Sequence, residues 1–386
     1  MIAVGLMSGT SLDGIDAALV ELAPKGDGYE IALRRFTTMP FPSDLLAALE
    51  RALPPERGSV AQVAELHRGL GEAFASAALA VAQSDRIDYV ASHGQTLWYD
   101  AARGLTLQMA DPFVIREATG ATVCYDFRSA DCAAGGRGAP LVPFVDALLF
   151  ASAREDRVAV NIGGIANLTV LAKGSNDVFA FDTGPGNMLI DALVRERSAG
   201  RERYDRDGAR ALRGRVDERL VREMLSDAYF TQPPPKATGR ERFGAHFLRE
   251  HSAIAALGVD DAIATITELT AISIGDAIGA LHLERPRVIV SGGGANNPAL
   301  LSRLRARLPG AVVERSDAMG ISADAKEAIA FAVLGYETLR ERAANVPRVT
   351  GAGRAVVLGA IAPCGLRALL AAVDRECHAP QGFAGS

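Results

Sequence analysis

The sequence predicts a two-domain α/β protein built on an internal duplication, and three observations carry that prediction. Strand-like apolar runs alternate with helical patterns along the chain, one series of elements restarts after a loop rich in Gly and Pro, and Gly-bearing turns follow apolar strands in both halves.

The first half opens with an apolar run, Ile2 to Met7, a Gly/Ser/Thr turn, a second run from Ile15 to Leu22 and a third from Tyr29 to Phe36, which reads as a three-stranded meander. Helical patterns follow at Ser43 to Ala52 and Val60 to Val81, where Val63, Leu66, Leu70 and Phe74 keep helical spacing. Strands are expected at Ile87 to Ser92 and Ala121 to Tyr125, with a helix between them capped by Asp111 and started by Pro112. After the loop from Cys132 to Pro143 the series repeats. Val158 to Ile162, Leu168 to Leu171 and Val178 to Phe181 are strands, with Gly163 and Gly164 as a tight turn, roughly 155 residues after their counterparts. A long helix at Asp261 to Leu283, a strand at Arg287 to Ser291, and helices at Pro298 to Leu308 and Asp324 to Ala343 complete the pattern. The expected division is 1–130 and 131–386, with a segment near 350–365 as a candidate to complete the first domain. The irregular stretch Asp227 to Phe243, holding Pro233, Pro234 and Pro235, reads as a functional or lid-like loop.

Composition excludes several classes. Across 386 residues, 49% apolar content supports ample core for two domains, and a net charge of -5 offers no basic face for nucleic acid and no polybasic run for an anionic membrane. Cys124, Cys132, Cys364 and Cys377 lack C-x-x-C spacing and are few for a disulfide framework. The start of the chain lacks a signal-peptide pattern, and Ser273 and Asp276 interrupt the longest apolar run, so a cytoplasmic location is expected.

Four segments can carry chemistry. In GLMSGTSLDGIDAAL, Gly5 to Leu19, glycines let backbone N–H groups approach an anion while Ser8, Thr10 and Ser11 add hydroxyls; a plain hairpin turn with Asp13 and Asp16 in water accounts for the same spacing. The segment is neither a Walker A loop nor a dinucleotide fingerprint. In VNIGGIANL and FDTGPGNMLID, Asp182 ends an apolar strand and is the candidate general base, with Asn187 as helix cap or substrate contact; Asp182 can also serve only to order the turn. In VIVSGGGANNPALL, the Ser-Gly-Gly-Gly turn presents flat backbone to a nucleotide, with Asn296 or Asn297 as cap. Finally, His93 and Gln95 in SHGQT, with Asp126 and Arg128 in DFRSAD, can read sugar hydroxyls or a carboxylate, or form a structural network. The histidines show no metal-ligand spacing, and no metal-binding residues are predicted.

Two phosphate-type hairpins in duplicated halves and a late Gly-rich turn resemble the actin, hexokinase and Hsp70 superfamily, which implies a duplicated actin-like (ribonuclease H-like) ATPase fold with an interdomain cleft. Within it, the strings GLMSGTSLDGIDAAL, SHGQT, DFRSAD, GGRGAPLVP, NIGGIANL, FDTGPGNMLID, PPKATGRERF, SGGGANNP, AKEAIAFAVL and TGAGRAVVLGAI resemble the anhydro-N-acetylmuramic acid kinases. The resemblance implies ATP with Mg²⁺ as cofactors and 1,6-anhydro-N-acetylmuramic acid as substrate, and it leaves a homodimer open. It implies that Gly9, Thr10, Ser11, Leu12, Asp13, Gly14, Ile15 and Asp16 bind ATP phosphates, with Gly163, Gly164, Gly184, Gly292, Gly293, Gly294 and Asn296 also on the nucleotide. Asp182 is then the catalytic base, and Glu327 a second active-site carboxylate near the sugar. Arg137 and Ala237 stand where the family pattern carries Gln and Ser. The rival readings are a chaperone-like ATPase of the same superfamily and a kinase for another amino sugar; no segment is left over for a peptide-binding domain.

Overall fold

Three apolar runs fold into the expected meander. In the computed structural model, described over residues 1–9, 12–25, 28–53 and 58–378, its strands are β1 (Ile2–Ser8), β2 (Ile15–Lys25) and β3 (Gly28–Met39). Then come β4 (Tyr89–Asp100), β5 (Leu105–Met109) and β6 (Thr122–Tyr125). β1 pairs antiparallel with β2 and parallel with β4, and β4 pairs parallel with β6. The strand Ala360–Ala362 adds antiparallel to β6, giving the order Ala360–Ala362, β6, β4, β1, β2, β3, with β5 hairpinned onto β4. SHGQT was expected after a strand but lies inside β4, because β5 pairs with the far half of that strand.

This sheet belongs to a unit of residues 1–148 and 325–386. The expected boundary after residue 130 therefore moves, and the chain from 325 onward returns to the first unit. Packing explains the return. The helix Lys326–Leu339 lies on β1, β2 and β4 and is buried along almost its whole length. It sits so close to β1 that a Cβ on Gly5 would fall 1.9 Å from the Ala328 carbonyl oxygen, a contact only glycine permits. Tyr89 Oη donates to the Ala332 carbonyl at 2.7 Å from the same sheet. A second core layer sets Leu66, Leu70, Phe74 and Val81 of the helix Val60–Ala82 against Val4, Leu6 and Val90. Each such side chain contributes about 1.5–3 kcal/mol by burial.

The second unit, residues 149–324, repeats the plan. Its strands are β7 (Arg157–Ile162), β8 (Ile165–Leu171), β9 (Val178–Pro185), β10 (Arg287–Ser291) and β11 (Val312–Arg315). The order β11, β10, β7, β8, β9 reproduces β6, β4, β1, β2, β3, with the same parallel and antiparallel pairings. Both units thus carry the ribonuclease H-like sheet of the actin-like fold, and the duplication expected from the restart is present as topology. The helix Val259–Gly279 is long and apolar enough to span a membrane by composition, yet 78% of its most apolar window is buried. Ala271, Ile274 and Ile278 pack on the sheet, while Ile263, Ile266 and Leu269 face a helical layer with Leu189, Leu220 and Phe247. It is a core helix.

Candidate functional site

In the second unit, three Gly-bearing turns meet. The β7–β8 turn at Gly163 and Gly164 is stitched to the turn after β9: Asn187 N donates to the Gly163 carbonyl at 2.8 Å and Gly186 N to that of Gly164 at 2.9 Å. Asn187 Nδ2 donates to the Ile162 carbonyl at 3.1 Å, and Thr270 Oγ1 to that of Gly186 at 3.0 Å. A Cβ on Gly186 would lie 2.3 Å from the Gly163 oxygen, so the approach requires glycine. The turn after β10 closes on the same place. There the missing Cβ of Gly292 would abut Asn161 Oδ1 and Ile162 O, that of Gly294 would abut the Ile162 side chain, and that of Gly293 would lie 3.6 Å from Asn187 Nδ2. Gly163, Gly164, Asn187, Gly292, Gly293 and Gly294, scattered over 130 residues of sequence, therefore form one surface of small residues, with Gly184 on the adjoining β9 backbone.

The cap left open between two asparagines is Asn297, whose Oδ1 accepts from Leu300 N at 3.1 Å ahead of Pro298. Asn296 is held instead by both ends of its amide: Nδ2 donates to Asp324 Oδ1 and Oδ1 accepts from Arg315.

Asp182 stands on β9 beside a bulge in the β8–β9 pairing. Its Oδ2 accepts from Thr238 N at 2.9 Å, its own N–H donates to the Lys236 carbonyl at 3.0 Å, and its carbonyl accepts from Tyr229 Oη at 2.8 Å. The proline-bearing segment expected as a functional or lid-like loop thus lays its backbone against Asp182. Burial, reinforced by the Asp182 charge, raises the Tyr229 phenol far above its ordinary range. Burial lowers the Lys236 ammonium, which sits 4.6 Å from the Tyr229 ring. Asp182 is half-buried, and the Thr238 N–H orients its carboxylate.

In the first unit, the turn after β1 keeps Gly9 and Leu12 in contact, Leu12 N donating to the Gly9 carbonyl at 3.3 Å, while Ser8 Oγ donates to that of Gly14 at 2.9 Å. Thr10 and Ser11 lie outside the described residues. Ile15 is buried, Asp13 is exposed, and Asp16 Oδ1 accepts from Thr38 Oγ1 at 2.6 Å.

The candidates His93, Gln95, Asp126 and Arg128 divide. His93 is buried; its Nδ1 meets the Gly94 carbonyl at 2.8 Å and its Nε2 the Arg128 Nε at 2.9 Å. Neither nitrogen remains for a sugar hydroxyl. Burial and the Arg128 charge hold its pKa well below the ordinary value. Arg128 also donates from Nη1 to the Gly138 carbonyl at 2.7 Å, and Glu327 acts on it electrostatically. Asp126 Oδ1 accepts from Ser129 Oγ at 2.6 Å and so orders its own turn. Gln95 is fully buried, and its Oε1 has no hydrogen-bond partner among the described residues. Two groups escaped the sequence reading. Asp131, buried, accepts from Asn345 Nδ2, Thr350 Oγ1 and Gly138 N, tying DFRSAD to GGRGAP and TGAGRAV. Lys326 and Asp146 form a buried ion pair at 2.8 Å directly beside Glu327. Asp131 sat within a quoted string, whereas nothing local marks the 180-residue pairing.

Gly186, Gly292 and Gly294 require glycine because the protein's own atoms take the space a Cβ would need, and Asn187 Nδ2 is committed to the Ile162 carbonyl, so what these turns offer a ligand is mainly backbone. Among the described residues no group of three or more His, Cys, Asp and Glu could hold a metal. A groove of about 450 Å³ between the helices Ser43–Ala52 and Val60–Ala82 contains none of the candidate residues.

A family model described as anhydro-N-acetylmuramic acid kinase matches residues 1–364. Relatives with that name include one from Streptomyces coelicolor, 44% identical over 370 residues, covering 93% of each chain. One from Gloeobacter violaceus is 45% identical over 379 residues, covering 94% of this chain and 99% of its own. Another, from Caldanaerobacter subterraneus, is 40% identical over 379 residues, covering 93% and 96%.

Proposed function

The chain belongs to the anhydro-N-acetylmuramic acid kinase family, and from that premise we propose that it opens 1,6-anhydro-N-acetylmuramic acid with water and phosphorylates O6 from ATP, yielding N-acetylmuramic acid 6-phosphate and ADP. The observation that carries this reading is the match along almost the entire chain.

In the anhydro sugar O6 is bonded to C1 and has no proton, so deprotonation cannot make it a nucleophile. Asp182 takes a proton from water; that water's oxygen bonds to C1 as C1–O6 breaks, and O6 bonds to the γ-phosphorus as the β,γ-bridging P–O bond breaks and ADP leaves. The Thr238 N–H bond holds the Asp182 carboxylate in one orientation, which is what a base acting on a positioned water requires. The turn from Gly9 to Asp16 and the Gly163–Gly164 turn bind phosphates, and the Gly292–Gly294 turn takes the nucleoside end. Glu327 lies on the sugar. Mg²⁺ held by the ATP phosphates would neutralise charge on the moving phosphoryl group. We place the reaction in the cytoplasm, with ATP, and assign no part in it to nucleic acid or membrane.

The test is turnover in ¹⁸O-labelled water, followed by NMR within early turnovers. Label at C1, none in the phosphoester, and a nascent α-anomer are expected. Label in the phosphoester bridge or an early β-anomer would rule out the single-water route. Sugar-independent ATP turnover would favour an ATPase, and preference for N-acetylglucosamine a different amino-sugar kinase.

A further inference from the structure

We propose that His93 is a positioning residue that acts through Arg128, setting its guanidinium to receive the lactyl carboxylate of the sugar, and that His93 itself touches no substrate. The inference rests on the substrate reading above.

The geometry follows from hydrogen-bond polarity. His93 Nδ1 faces a carbonyl oxygen at 2.8 Å, so it must carry the proton and donate. Nε2 then holds the lone pair and accepts from Arg128 Nε at 2.9 Å. An imidazolium would set N–H against N–H. Burial at 3% exposure and the neighbouring positive charge both keep the ring neutral. Phe331, one turn beyond Glu327 on the same helix, packs on the ring at 4.6 Å between centroids.

A guanidinium is planar, so anchoring two of its nitrogens fixes the direction of the third. Nε is held by His93 and Nη1 by the Gly138 carbonyl, itself placed by the bond from Gly138 N to Asp131. The Nη2 edge takes part in neither bond, and its direction is set by them. An Nη2 edge aimed in this way suits a carboxylate oxygen, and the lactyl ether is the group that separates this sugar from other anhydro amino sugars.

The experiment is a double-mutant cycle on the full chain with H93F, R128Q and H93F/R128Q, plus H93Q as the variant that restores an acceptor. KM for the anhydro sugar, KM for ATP and kcat are read for each, with 1,6-anhydro-N-acetylglucosamine as the substrate lacking the carboxylate. H93F should raise the sugar KM about tenfold or more and leave the ATP KM within about twofold. Its preference for the carboxylate-bearing sugar should fall by a similar factor, H93Q should recover most of the loss, and H93F/R128Q should be no worse than R128Q. Additive losses, an equal rise in the ATP KM or unchanged preference would overturn the proposal. If H93F shows no cooperative melt, H93N replaces it in the cycle with the same outcomes. A wild-type chain without turnover of the anhydro sugar overturns the substrate reading and this inference together, whereas an active wild type with an additive cycle overturns only the inference.

Discussion

Asp182 and His93 show how the same class of evidence, a polar residue near a strand end, resolves into opposite roles. Asp182 is half-buried, and the Thr238 N–H orients its carboxylate, as the proposed base requires. Asp182→Asn keeps the shape and removes the basicity; kcat should fall by about two decades or more while ATP affinity by calorimetry stays near wild type. A variant retaining most of its rate would remove Asp182 as the base. His93, neutral in the fold well below its ordinary pKa, takes up a proton near pH 6.5 only when the chain unfolds. The unfolded state therefore binds more protons below that pH, and the stability from this group, complete above about pH 6.5, is lost as pH falls toward the folded value. Denaturant unfolding of wild type should lose more stability than H93Q between pH 7.5 and 5.5. Equal losses would show that the ring charges inside the fold.

Between elements, function is organised by close approach of backbone. The two turns joined at Gly163, Gly164, Gly186 and Asn187 leave no room for a methyl group at position 186. Gly186→Ala should cost about 1–3 kcal/mol by overpacking, measured as a lower denaturation midpoint at unchanged slope. Its ATP KM should rise, since the turns must part; a stable variant with normal ATP KM would show the contact to be incidental. In the first unit the corresponding organiser is Asp131, which gathers a short helix, a Gly loop and the late segment from Asn345 to Thr350 around one buried carboxylate. Arg137 joins this arrangement, donating to the Val349 carbonyl at 2.8 Å.

At the scale of the whole chain, the duplicated sheet is the same in both units, but the chain builds them differently. Residues 149–324 are continuous and enclose their own core, whereas the first unit borrows Lys326–Leu339 and Ala360–Ala362 from beyond the second. Residues 149–324 expressed alone should therefore melt cooperatively, while residues 1–148 alone should not, lacking the helix that covers β1 and the partner of Asp146. Circular dichroism melts of the two fragments test this; a cooperative 1–148 fragment would show that helix to be dispensable.

The sequence by itself determined the element series, the duplication and the Gly-bearing turns, because local periodicity and turn chemistry act over a few residues and are written there; Asp182, expected to end a strand, lies inside β9, whose pairing with β8 runs on to Pro185. The match of whole strings to one kinase family was written there too. Tertiary structure decided the rest. It chose Asn297 over Asn296 as the cap, placed SHGQT inside β4, returned residues 325 onward to the first unit, and committed both nitrogens of His93. Each of these depends on a partner far along the chain, such as β5 for β4, β6 for Ala360–Ala362 and Arg128 for His93. A side chain's chemistry is read from its identity, but its role is set by which of its atoms the folded chain has already occupied.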